Sequence, residues 1–244
     1  MEETAKGEAI ASFVANFDQI NELLELDERI LRIPISMLTR ISTVHDAIKL
    51  KRADARVDTL LGMLRNLRKN DSLAPKLQAL RNQCVVLAVS HFTSAVRDIF
   101  LAAIVRDLKQ GTRASLLSET LSLQIGDLLE LGEAPARKLA EAIIAKKDIS
   151  FQDMKSIARA FADFLVHEIP RSPRGNDIIV AQACRHAIVH NSATIDEKLV
   201  RQISSAVPRN VFAVLIVGRP IEATDQDIRT IGSSMVDYLH ALPG

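Results

Sequence analysis

Residues 77–108 read LQALRNQCVVLAVSHFTSAVRDIFLAAIVRDL. Apolar side chains recur along this stretch every three or four residues, the spacing that places them on one face of an α-helix. They are Leu80, Cys84, Leu87, Ala88, Phe92, Ala95 and Ile99. The pattern therefore predicts an apolar helix from Leu77 to about Leu108, long enough to be the central strut of the fold.

Most of the remaining chain shows the same helical spacing, and its 244 residues include only nine glycines and eight prolines. One face of a first helix is lined by Ile10, Phe13, Val14, Phe17, Ile20, Leu23 and Leu24. Pro34 breaks or kinks the run, because proline lacks the amide hydrogen that a helix interior requires, and a second helix is predicted to end at about Lys69. The polar segment 69–72 then separates an N-terminal helical extension, residues 1–72, from a helical domain, residues 73–244.

Further helices are predicted beyond the central one. Their ranges are Ala114 to about Gly132, Pro135 to Lys147 and Phe151 to Ile169. Residues 170–175 read PRSPRG and predict a loop, after which Asn176 or Asp177 is expected to cap the next helix.

The end of the chain combines a β-type pattern with a final helix. The run Val211–Val217 is apolar and rich in β-branched residues, and Gly218 follows it, which predicts a short β-hairpin. Residues Thr224–Asp227 resemble a capping box at the start of the last helix. The predicted fold class is therefore mainly α, with one short hairpin before the last helix.

The composition indicates a folded domain, because 48% of the residues are hydrophobic and the mean hydropathy is +0.10. The apolar runs are shorter than the roughly 20 residues that span a bilayer, and the N-terminus lacks a basic-then-apolar signal pattern. We therefore expect a cytoplasmic protein without a membrane partner. Cys84 and Cys184 are expected to be buried thiols, and no spacing indicates a metal site or a cofactor. Tryptophan is absent and Tyr238 is the only tyrosine, which argues against an aromatic platform for stacking bases.

Net charge is only +1, but residues 171–219 are locally basic. The cations in this range are Arg171, Arg174, Arg185, Lys198, Arg201, Arg209 and Arg219, against Asp177, Asp196 and Glu197. Two interpretations stay open, namely a positive patch that faces a polyanion such as RNA, and scattered charges that are simply solvated.

The helix in this basic region ends in Arg185-His186-Ala187-Ile188-Val189-His190-Asn191. An arginine keeps its charge and binds phosphate oxygens through a planar fork, whereas a histidine exchanges protons near neutral pH. Arg185 and His190 together therefore indicate phosphate binding with acid/base chemistry. The alternative is structural: Arg185 pairs with a carboxylate and His190 is stabilised by the dipole at the helix end.

On a helical wheel, Arg185 and His190 lie about 140° apart on the solvent side. Ile178, Gln182, His186 and Val189 fall between them. An apolar ridge of Ile178 and Val189 beside reactive groups would be poorly placed in water, and this predicts that the helix packs against its copy in a homodimer with a composite cleft. Within that cleft His186 would orient His190 or bind phosphate, and Asn191 would cap the helix or hold a ribose oxygen.

This arrangement resembles the HEPN superfamily and its Arg-x4-6-His motif. The resemblance rests on the helix ending Arg-His-x-x-x-His-Asn, the polar turn Ser192–Glu197, the expected hairpin with Gly218 and the final amphipathic helix. The segment 85–92, VVLAVSHF, is also similar to the first core helix of RiboL-PSP-type HEPN proteins. The resemblance covers about residues 73–244, and Thr93 departs from it by standing where many such sequences carry an acid.

The resemblance implies a HEPN-like helical bundle and a metal-independent endoribonuclease of the toxin or antiviral-defence type. Arg185 and His190 would be catalytic in attack by the ribose 2′-hydroxyl, with a protein antitoxin or regulator as a further partner. The supporting or RNA-binding residues would be His186, Asn191, Arg171 and Arg174. Two other classes stay open: a noncatalytic module that binds RNA, nucleotide or protein, and an assembly scaffold in which the pair is structural.

Overall fold

The computed structural model describes residues 2–25, 29, 32–47, 54–69, 73–111, 114–118, 120–121 and 135–243. We number its helices in chain order. They are α1 (Glu2–Leu24), α2 (Ile33–Ala47), α3 (Asp54–Lys69), α4 (Ala74–Gln110), α5 (Ala114–Leu117), α6 (Pro135–Lys146), α7 (Met154–Leu165), α8 (Pro173–His190), α9 (Glu197–Ile203) and α10 (Asp225–Ala241). The prediction of a mainly helical protein is confirmed.

Helix α4 lies at the centre of the fold and contacts α1, α6, α8 and α10. Pro75 sits in its first turn, where a backbone N–H would have no hydrogen-bond partner within the helix. Gly111 ends the helix in a left-handed conformation with φ of 61°. The predicted central helix is therefore confirmed. Most of its predicted apolar face forms the middle of the core, whereas Leu80 is half-buried and Leu87 is 39% exposed. Among the described residues, α4 is the one helix long and apolar enough to cross a membrane, and 56% of its most apolar window is buried inside the protein.

Helix α1 packs onto α4 and α10 through the predicted apolar face, of which Val14 alone is exposed. The Phe13 ring meets Phe92 of α4 edge to face at 6.4 Å between centroids. Gly232 of α10 lies directly under the Phe17 ring, where a β-carbon would overlap it. Helix α1 thus shares one core with the helices that follow residue 73. The division of the chain at residue 73 stays a prediction.

The second predicted helix is two helices, α2 and α3, which pack against each other. Ser42 donates a hydrogen bond of 2.9 Å to Asp58, which links the two helices near their solvent-facing edges. Residues 48–53 between them, and residues 70–72 of the predicted boundary, lie outside the described part of the chain. Of the helix predicted from Ala114 to about Gly132, Ala114–Leu117 is helical, and residues 119 and 122–132 lie outside the described part of the chain.

The predicted β-hairpin is wrong: the described residues contain no β-strand, and only an isolated antiparallel bridge joins Thr194 to Pro220. Phe212 adopts a left-handed φ of 46°, which interrupts an extended strand. Its N–H donates to the Asp227 carboxylate at 2.9 Å instead of to a partner strand. Gly218 N–H likewise donates to the Ile195 carbonyl at 2.8 Å. Tertiary partners therefore replace the ladder that local β-propensity favours.

The expected cap of α8 is also wrong. The helix begins at Pro173 inside the predicted loop, and Ser172 caps it by accepting a hydrogen bond of 3.0 Å from Gly175 N–H. Proline at the first helical position fits, because its missing amide hydrogen would have had no partner there. Asp177 is instead buried in the core. The predicted capping box of the last helix is confirmed, with Thr224 and Asp227 bonded reciprocally.

Candidate functional site

The end of α8 emerges from the core and carries the candidate site. Most of the helix is enclosed by α4, α10 and α9. In its last turns Arg185 is half-buried, and the side chains of His186, Val189 and His190 are exposed. Arg185 and His190 are thus both accessible to a ligand.

The solvent-side strip is shorter than the helical wheel predicted. Ile178 is completely buried and Gln182 retains only 8% of its exposure, so neither belongs to an exposed ridge. Gln182 accepts a hydrogen bond of 3.0 Å from Met154 N–H at the start of α7, which covers this part of α8. The predicted ridge of Ile178 and Val189 is therefore wrong, and Val189 alone, at 47% exposed, remains on the surface.

The two histidines at the end of α8 lie side by side. Residues four apart on a helix share a face, and the His186 and His190 ring centroids are 4.8 Å apart with planes inclined at 49°. Both line an open cleft of about 160 Å³ between α8 and α9. The other lining residues are Ala183, Ala187, Asn191, Asp196, Lys198, Leu199 and Gln202. Arg185 does not line this cleft in its own chain.

A hydrogen-bonded turn after α8 contributes Asn191 and Asp196 to the lining of the cleft. Asn191 ends the helix, donating from its backbone N–H to the Ala187 carbonyl at 2.9 Å. Its side-chain amide donates to the Thr194 carbonyl at 2.8 Å and to Asp196 at 3.4 Å. Asp196 in turn caps α9 by accepting from Leu199 N–H at 2.7 Å. Two roles were considered for Asn191, a helix cap and a contact to a ribose oxygen, and these bonds are those of the cap.

The charges around the cleft favour a neutral His186. Partial burial lowers the pKa of His186, and the positive charges of Lys198, His190 and Arg185 lower this pKa further. Asp196 opposes them by raising the pKa. At neutral pH the His186 imidazole is thus predominantly uncharged and can accept a proton or a hydrogen bond.

Arg171 and Arg174 lie at the opposite end of α8 from the histidines. Arg174 precedes His190 by 16 residues, which separates the two by about 24 Å along the helix axis. Arg174 pairs with Asp237 at 2.7 Å, and Arg171 is exposed before the helix begins. Within one chain, the structure does not bring these two arginines to the cleft.

Sequence reasoning missed Lys198 and Gln202 as cleft residues. Both come from α9, which packs on α8 after the Asn191 turn. The sequence indicated Lys198 only as part of the basic region 171–219. No local pattern predicts the turn that brings α9 against the histidines of α8. The Asp196 capping signal two residues earlier was the available clue.

The other candidate groups are structural. Thr93, which stands where similar sequences carry an acid, bonds its own helix by donating to the Val89 carbonyl at 2.9 Å. Both cysteines are buried free thiols, and burial raises the pKa of Cys184 to about 12, which leaves no reactive thiolate. Within the described ranges, no group of three or more His, Cys, Asp or Glu side chains is placed to hold a metal ion.

Comparisons of the chain with models of known protein families, with curated proteins and with solved structures find no match.

Proposed function

We propose that this protein is a metal-independent endoribonuclease of the HEPN type, with Arg185 and His190 as its catalytic residues. The observation that carries the proposal is the accessible end of α8, where His186 and His190 line an open cleft and the half-buried Arg185 lies outside it on the same turns of the helix. The basic region that contains them suits a polyanionic substrate.

The chemistry follows from these side chains. A neutral imidazole accepts the proton of the ribose 2′-hydroxyl, whose oxygen then attacks the adjacent phosphorus. The bond from phosphorus to the 5′-oxygen breaks, and a protonated imidazole donates a proton to the leaving oxygen. The products are a 2′,3′-cyclic phosphate and a 5′-hydroxyl. Arg185 stabilises the extra negative charge on the phosphorane oxygens.

A homodimer would complete this site. Arg185 lies about 140° around α8 from His190 and outside the cleft of its own chain. A second copy of α8, packed across a two-fold axis, would bring its arginine toward the histidines of the first. Val189 is exposed between the two groups and would be covered in such a dimer.

The direct test is cleavage of single-stranded RNA in excess EDTA by the wild type, Arg185→Ala and His190→Ala. Loss of a positioned acid/base group is expected to lower the rate by about 10² to 10⁴-fold. Arg159→Ala on α7 and His240→Ala on α10, both exposed side chains, are the matched controls and should cleave at the wild-type rate. Equal cleavage by all five proteins would remove the proposed site.

A noncatalytic module that binds RNA, nucleotide or protein is the second candidate. It is favoured by the position of Arg185 outside the cleft, since one chain then lacks a complete catalytic constellation. RNA binding without cleavage at any protein concentration would select this function.

A toxin or antiviral effector would also harm the cell that makes it unless a partner restrains it. Expression of the wild type is therefore expected to slow growth, and His190→Ala to relieve the effect. Equal growth arrest by the wild type and His190→Ala would show that the toxicity does not depend on this site.

A further inference from the structure

We propose that Lys198, His186 and His190 of a single chain form a binding site for one phosphate group of an RNA strand, with Lys198 as its fixed cation. The three side chains come from two helices and line the same cleft. For its substrate class this inference rests on the proposed function, but the site itself is argued from the geometry alone.

Lys198 is exposed, and none of the described carboxylates lies within ion-pair distance of it. The nearby acid, Asp196, also lines the cleft. Its two oxygens accept hydrogen bonds from Leu199 N–H and from the Asn191 amide, so they are occupied within their own turn. The Lys198 ammonium is therefore available to an external anion.

The size of the cleft limits the ligand to a small group. Pockets for whole drug-sized ligands have about 300–1,000 Å³, whereas this cleft has about 160 Å³. A phosphate group suits such a volume, and a lysine ammonium binds it as a point charge. The imidazoles, 4.8 Å apart between centroids, offer a ring nitrogen each on the same helix face.

Binding of phosphate should strengthen as the pH falls, because protonated imidazoles attract the anion. The charged groups that face His186 are Lys198, His190 and Arg185, which disfavour its protonation, and Asp196, which favours it. A bound phosphate would offset these cations and so favour protonation of His186.

The probe for the main experiment is a single-stranded 2′-O-methyl oligoribonucleotide, which has no free 2′-hydroxyl and cannot be cleaved by the proposed route. Its affinity is measured at several salt concentrations for the wild type, Lys198→Gln and Lys146→Gln. We expect Lys198→Gln to weaken binding up to about fivefold. The slope of log affinity against log salt should fall in magnitude by about 0.7, the value for one phosphate contact on a single strand.

Lys146→Gln removes the same charge from an exposed residue at the end of α6, outside the cleft, and should leave the slope unchanged. An unchanged slope and affinity for Lys198→Gln would overturn the inference. Both lysines are exposed, so neither change is expected to affect folding, and far-UV circular dichroism checks this.

Inorganic phosphate is the second probe and separates this inference from the proposed function. Its addition should shift the ring-proton NMR signals of His186 and His190 saturably, and less so in Lys198→Gln. If both probes bind as expected but RNA is never cleaved, the phosphate site stands and the nuclease proposal fails. If RNA cleavage depends on Arg185 and His190 but Lys198→Gln changes the binding of neither probe, the phosphate site fails. Binding of inorganic phosphate without the oligonucleotide would reject RNA as the source of the phosphate.

Discussion

At the scale of single residues, His186 reports the electrostatics of the cleft. Its pKa is lowered by partial burial and then by Lys198. We predict that Lys198→Gln raises this pKa toward the ordinary value of about 6.5, and that Asp196→Asn lowers it further. Histidine NMR titrations measure both shifts. A His186 pKa that is identical in the wild type and in Lys198→Gln would place the ammonium away from the ring.

The same shift fixes the sign of a pH effect on stability. A histidine whose pKa is lowered by folding binds a proton less readily in the folded state than in the unfolded chain. Stability is therefore unaffected well above the ordinary histidine pKa and is lost as the pH falls through it toward the lower, folded-state value. The Lys198→Gln protein should lose less of its stability over this pH range, which urea unfolding at several pH values would measure.

Asp177 of α8 requires hydrogen-bond donors within the protein because its carboxylate is completely buried. It accepts hydrogen bonds from Asn210 N–H at 2.6 Å, from the Asn210 amide at 3.1 Å and from Ser234 at 3.0 Å. We predict that Asp177→Asn lowers the free energy of unfolding by about 1–3 kcal/mol, because an amide nitrogen would oppose a donor. Urea denaturation measures this loss.

The matched control is Asp237→Asn, which removes the surface partner of Arg174 and should cost less than about 1 kcal/mol. Equal losses for the two variants would contradict the structural role given to Asp177. The sequence suggested Asp177 as a helix cap, since acids near a helix start are common there. Its burial depends on Asn210 and Ser234, which are distant in sequence, and no local pattern could indicate them.

At the scale of elements, the contact of α1 with α10 depends on a glycine. Gly232 has room only for hydrogen under the buried ring of Phe17. We predict that Gly232→Ala destabilises the protein by about 1–3 kcal/mol, because the added methyl group displaces a packed ring. Gly62→Ala is the control: this glycine lies within α3 with nothing close to its β-position. It should gain about 0.5–1 kcal/mol from improved helix propensity, as measured by thermal or urea unfolding.

The sequence predicted the helices well where one face is apolar. It predicted the local conformation poorly where hydrogen bonds to residues distant in sequence determine it. The 3.6-residue period predicted α4 within a few residues, and Thr224 and Asp227 fixed the start of α10. The β-branched run Val211–Val217 predicted a hairpin, but the Phe212 N–H donates to Asp227 of α10, and the N–H of the preceding Asn210 donates to the buried Asp177 of α8. Such partners come from distant parts of the chain, and this is why local propensity failed there.

At the scale of the whole molecule, the fold explains why the accessible site is at the end of α8. The middle of the helix is enclosed, so its polar side chains reach the surface only at the two ends, and Arg185, His186 and His190 all lie at the C-terminal end. The sequence predicted that Arg185 and His190 would be solvent-accessible, and they are. It did not predict that α9 would place Lys198 beside the histidines, because the packing of α9 on α8 depends on the Asn191 turn.

The position of Arg185 outside its own chain's cleft leads to a prediction about assembly. If each site takes His190 from one copy and Arg185 from the other, Arg185→Ala and His190→Ala chains should complement each other. When equal amounts of the two variants are unfolded and refolded together, half of the dimers are heterodimers. Each heterodimer has one intact site of two. RNA cleavage should then recover to about a quarter of the wild-type rate, whereas each variant alone is inactive. Light scattering should show a dimer in every sample, so that a lack of recovery reflects the site and not dissociation. A dimer that shows no recovery would mean that Arg185 and His190 act within one chain, and a monomer that cleaves RNA would exclude the composite cleft.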